Sequence, residues 1–123
     1  MAIWKINDTE LEFDVTDADM MERYEMAMKA LPQDMPHAVK GIPYSKQLRA
    51  YCKAYRKMYD TIFGKNTSEK IFAGIPDSLQ KYNSVYAKML AFVEEQGEIV
   101  QDEMREIKEK YAPESDTENT ENP

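Results

Sequence analysis

One histidine, His37, and one cysteine, Cys52, are the only side chains of their kinds in the 123-residue chain. His37 lies between Pro36 and Ala38 with no Cys or carboxylate at metal-ligand spacing, so it reads as a surface residue rather than a ligand. Cys52 falls on the apolar stripe of a helix, where a thiol packs as a small hydrophobe; nearby cations would lower its pKa only if it were exposed. Glu94, Glu95 and Glu98, followed by Asp102, Glu103 and Glu106, could pair as acid and base or hold a hard cation. The same spacing of three and four also lines the wet face of a helix, which is the simpler reading. The chain has four glycines and no phosphate-binding loop, zinc-ligand pattern or nucleophile elbow. These residues together point away from an enzyme and call for no catalytic residue, metal or cofactor.

Charge narrows the partner classes. There are 23 acidic and 16 basic residues, a formal net charge of −7, which disfavours general binding to nucleic acid. The charge is segregated, with 3 basic and 9 acidic groups in residues 1–36, 8 and 2 in residues 37–70, and 5 and 12 in residues 71–123. A lone cysteine excludes an intramolecular disulfide and favours a reducing compartment. No apolar run reaches the roughly 20 residues that span a bilayer, and the N-terminal residues lack a signal-peptide pattern, so no membrane partner is expected and the cytoplasm is the expected location.

The elements that must position these groups follow from periodicity. Trp4 and Ile6 alternate with polar neighbours, as do Leu11, Phe13 and Val15, and Asn7-Asp8 suits a tight turn, predicting a β-hairpin within residues 1–15. Thr16 and Asp19 resemble a capping arrangement for a first helix, whose apolar stripe of Met20, Met21, Tyr24, Ala27, Met28 and Leu31 stops at Pro32. Residues 32–43 hold three prolines and a glycine and read as a crossing loop. A second helix is predicted over Tyr44–Phe63, closed by a left-handed cap at Gly64. A third, capped by Asp77, runs to Tyr111 with a natural bend at Gly97; unbroken, it would be about 52 Å long and its second half would project. The expected fold is mainly α with a small N-terminal hairpin, a single domain over residues 1–111, and a disordered acidic tail over residues 112–123.

Two surfaces emerge as candidates. Lys46, Arg49, Lys53, Arg56 and Lys57 recur every three or four residues on the second helix. They read either as a solvated face or as a self-assembly surface that meets the acidic third helix of another copy, giving a homo-oligomer. Tyr51, Tyr55 and Tyr59 lie among these cations and could stack on single-stranded nucleic acid, but their spacing of four suits a core stripe. Nine methionines, four of them in the first helix, cannot all face inward. Trp4, Phe13, Met20, Met21, Tyr24 and Met28 therefore form a candidate docking surface for a partner protein, together with Phe63, Ile71 and Phe72 from the next segment.

Residues 62–74 read IFGKNTSEKIFAG, an unusually ordered connection in which Thr67 or Ser68 caps a short turn and Ile71 and Phe72 return to the core. The segment resembles the FG-x-x-T-S-x-K-I-F-x-G signature of small tail assembly chaperone-like proteins of phages and prophages of Gram-positive bacteria. The likeness extends loosely over residues 3–95. It implies a helper that binds the tape-measure protein or other tail components, oligomerises, and departs before the particle matures. Two further readings compete with it. One is an acidic phage inhibitor in which Glu94 to Glu109 imitates phosphate charge at a host protein's nucleic-acid site. The other is a structural tail connector retained in the virion.

Overall fold

The computed structural model describes residues 2–37 and 40–111. Its elements are β1 (Ile3–Ile6), β2 (Thr9–Glu12), α1 (Ala18–Asp34), α2 (Tyr44–Phe63), α3 (Thr67–Ile71) and α4 (Leu79–Tyr111). The architecture is the predicted one, mainly helical with an antiparallel N-terminal hairpin and a long C-terminal helix. The segment expected as an ordered connection adds a fourth, short helix. The tail expected over 112–123 lies outside the described residues.

Asn7 and Asp8 adopt φ values of +46° and +62°, the two successive positive angles that match a two-residue turn to the twist of its strands. Trp4 then pairs with Leu11 and Ile6 with Thr9, which sends Trp4 and Ile6 into the core and Lys5 to solvent. Phe13 follows the strand, donates its amide to the Ala2 carbonyl at 3.0 Å, and is buried. Two strands alone are marginal in water, and here the helices cover the apolar face. The Trp4 ring stacks on Tyr59 and Phe63 of α2 and lies against Phe92 of α4.

α2 is the axis of the molecule. Its stripe of Cys52, Tyr55, Met58, Tyr59 and Ile62 is buried, and it packs against α1, α4 and, at its C-terminal end, α3. Its bounds are those read from the sequence, but Gly64 closes it differently. With φ +116° and ψ 160°, Gly64 sits not in a left-handed cap but in an extended mirror-image region that only glycine occupies readily.

Three other expectations are corrected. Pro32 lies inside α1, which continues to Asp34, because the missing amide falls in the last turn and forfeits one hydrogen bond while Met35 still donates to the Leu31 carbonyl. Thr16 does not cap α1; its amide and hydroxyl both donate to Asp14, and Asp17 holds the cap position without a side-chain bond. Asp77 does not cap the last helix either. α4 starts at Leu79 with Ser78 accepting the Lys81 amide at 3.4 Å, and it runs unbroken through Gly97 for about 50 Å.

Candidate functional site

The signature segment explains itself once its neighbours are in place. Its amide groups enter α3 from a left-handed Asn66, at φ +70°, which supplies no side-chain cap. Asp60, one turn before the end of α2, reaches across instead. Its carboxylate accepts the Ser68 amide at 2.8 Å and the Ser68 hydroxyl at 3.1 Å. The far end of α3 is tied to the hairpin, where Asn7 Nδ2 donates to the Ile71 carbonyl at 3.1 Å and Thr9 Oγ1 to the Lys70 carbonyl at 3.2 Å. Arg23 Nε does the same for α2, donating to the Ile62 carbonyl at 3.2 Å. Thr67, Ser68, Ile71 and Phe72 are buried, so these residues of the motif hold the corner between α2, the hairpin and α4.

A second node fixes the start of α4. Arg56 donates to Asp77 at 2.7 Å and to the Tyr82 hydroxyl at 2.8 Å, while Tyr82 and Arg49 also donate to Asp77. The Arg56 hydrogen bond holds the Asp77 carboxyl below the usual carboxylate range, against the opposing effect of burial. Beneath it the Tyr82 ring stacks face to face on Phe72, with centroids 3.8 Å apart.

These nodes divide the predicted basic face. Arg49 and Arg56 turn to Asp77, Lys57 pairs with Asp34 of α1 at 3.0 Å, and Lys46 and Lys53 remain exposed. The face is thus in part an internal ion-pair system rather than a wholly free patch. Tyr55 and Tyr59 are buried, which takes them away from any stacked base.

The predicted docking residues are mostly interior. Trp4, Phe13, Ile71 and Phe72 are in the core, and Met20, Met21, Tyr24, Met28 and Phe63 are half-buried and packed against it. The reason is that the apolar face of the hairpin and the stripe of α1 are satisfied by α2 and α4 of the same chain. Cys52 is fully buried, and burial pushes its thiol above the ordinary range, away from nucleophilic use. His37 is exposed. Among the described residues no group of three or more His, Cys, Asp or Glu side chains is placed to hold a metal ion.

What remains open is a cleft beside α2. A concavity of about 910 Å³ runs along α2 from Ala50 to Thr61 and reaches Lys65 and Ser68 of the corner. A smaller one of about 210 Å³ continues it between α1 and α2, sharing Asp34, Ala54, Lys57 and Thr61. Ala27, Ala30 and Ala54 keep the α1–α2 end shallow, Met26 stands at its edge 60% exposed, and Lys53 and Lys57 rise from the α2 side. Sequence reading places Ala27 on the stripe of α1 but passes over Ala30 and Ala54, because it ranks large apolar residues as anchors. Met26 alone carried a signal, being out of phase with the stripe of Met20, Tyr24, Ala27 and Leu31.

The fold and this cleft define a small, mainly helical protein with an N-terminal hairpin and an open surface groove. The chain belongs to a family of unknown function, DUF6673, whose profile matches residues 7–122. No curated protein and no solved structure matches it. Among the described residues no helix is long and apolar enough to cross a membrane.

Proposed function

We propose that this protein is a non-enzymatic, chaperone-like binding protein of phage tail assembly, working in the host cytoplasm and holding an apolar-striped helix of the tape-measure or another tail protein. The observation that carries the reading is the groove beside α2. Small residues at its α1–α2 end let a second helix approach closely, Met26 offers a deformable apolar contact, and Lys53 and Lys65, both exposed, can meet acidic groups beside the partner's stripe. The resemblance of residues 62–74 supports the choice of partner, and those residues also build the wall of the groove at Lys65 and Ser68.

Co-expression with the neighbouring tape-measure protein tests it. The wild-type chain is expected to co-purify with that protein and keep it soluble, and Ala30→Arg, which fills the groove from a partly exposed position, is expected to weaken the complex at least ~10-fold. Absence of a wild-type complex, or a complex indifferent to Ala30→Arg with the fold intact by circular dichroism, refutes the reading. A second reading rests on Glu94, Glu95, Glu98, Asp102, Glu103, Glu106 and Glu109, all exposed on α4, as an acidic mimic of phosphate charge at a host protein. Replacing them with Gln would abolish host binding there and leave the groove complex unaffected.

A further inference from the structure

α4 carries one apolar stripe with two fates. Its first half is buried on the body through Tyr82, Val85 and Met89, whereas from Gln101 to Tyr111 every residue is exposed. The stripe does not end where the body does. Leu90, Val93, Gly97, Val100, Met104, Ile107 and Tyr111 follow one another at alternating steps of three and four. Positions 90, 97, 104 and 111, and likewise 93, 100 and 107, therefore recur every seven residues, the repeat that suits one helix wound on another of its kind. Met104, Ile107 and Tyr111 are 56%, 50% and 73% exposed, and apart from the neighbouring Lys110 over the Tyr111 ring no described residue of the chain covers them.

We propose that the segment Val93–Tyr111 pairs antiparallel with the same segment of a second copy, forming a two-fold symmetric dimer that is independent of the groove beside α2. Orientation follows from Gly97 and from the flanking charges. Parallel in-register pairing would set Gly97 against Gly97 and leave a hollow layer. Antiparallel pairing sets Gly97 against Ile107 and Val100 against Met104 of the second copy, and brings Tyr111 of the second copy to Val93, which is half-buried at the edge of the body, so each small residue meets a large one. It also places Glu94 beside Lys108 of the second copy and Gln96 beside Lys110 of the second copy, each twice by symmetry. One like-charge meeting, Glu103 with its own symmetry mate, opposes it. The overlap spans about 28 Å, under three heptads, so the expected dissociation constant is modest, on the order of 10 µM. This arrangement differs from the self-assembly surface that the sequence offered as an alternative to a solvated face, in which the acidic helix of one copy meets the basic helix of another; α2 spends much of its charge on Asp34 and Asp77.

Sedimentation equilibrium of the full chain across about 1–200 µM tests the dimer. The wild-type chain is expected to move from one to two copies of 14.3 kDa over that range. Met104→Glu with Ile107→Glu, both at exposed positions, is expected to weaken association at least ~100-fold while leaving the thermal transition of the body in place. Orientation is read by oxidation. Val100→Cys and Met104→Cys chains, mixed, are expected to cross-link to each other, and Val100→Cys alone is not, while the native Cys52 is fully buried and stays out of reaction. A monomeric wild-type chain at 200 µM, a dimer unaffected by the double substitution, or self-cross-linking of Val100→Cys alone would overturn the proposal.

Discussion

Tyr59 presents the sharpest energetic test of the structure. It is fully buried between the Trp4 and Phe72 rings, and its hydroxyl has no hydrogen-bond partner among the described residues. Burial also pushes the phenol far above its ordinary range, so it stays neutral. A hydroxyl taken from water without a partner costs about 1–3 kcal/mol. Tyr59→Phe removes that cost and gives back only a few tenths of a kcal/mol for the small void left by one oxygen. The expected result is a gain of about 1–2 kcal/mol, or an increase in Tm of roughly 4–8 °C for a chain of this size.

Tyr55, one turn earlier, is the internal control. Its hydroxyl donates to Asn83 Oδ1 at 2.7 Å, so Tyr55→Phe should lose about 0.5–1 kcal/mol. The two substitutions are chemically identical and opposite in sign. Urea unfolding followed by the fluorescence of Trp4, the single tryptophan, and by circular dichroism measures both on one scale. A loss of more than about 0.5 kcal/mol for Tyr59→Phe would refute the reasoning, because it would mean that the hydroxyl contributes a bond.

Further outcomes follow from the other nodes. Asp60→Ala removes the carboxylate that caps α3 from outside and should cost about 1–2 kcal/mol, seen as a lower urea midpoint; an unchanged midpoint would show the cap to be idle. Gly64→Ala should cost about 1–3 kcal/mol, although a Cβ there meets nothing within 4 Å, because the penalty is the backbone angle alone; a neutral substitution would contradict that geometry. Asp77 has a folded-state pKa below its ordinary 3.8, so its contribution is present above that pH and is lost as pH falls through the folded value. Asp77→Asn should therefore flatten the acid limb of a stability–pH curve below about pH 4, leaving the share of Asp14, whose carboxyl is held low by Thr16. An unchanged acid limb would remove the Arg56–Asp77 pair from the account.

Much of the fold was written locally. Alternation marked the strands, Asn7-Asp8 their turn, and steps of three and four marked α1, α2 and α4 with the bounds of α2 intact, because these patterns depend on neighbours within a few residues. The buried place of Cys52 was legible for the same reason. What a face packs against is not a local property. Only the assembled structure shows that Trp4, Phe13, Ile71 and Phe72 face their own chain, that Asp60 rather than Thr67 or Ser68 caps α3, and that Asp77 serves Arg56 instead of a helix end. The groove was invisible in the sequence since its α1–α2 end is defined by the smallness of Ala27, Ala30 and Ala54, which acquires meaning only when two helices are set side by side. The length of α4 to Tyr111 was legible, but where the body stops covering its apolar stripe is a matter of how far α2 and the hairpin reach, and tertiary packing alone decides that.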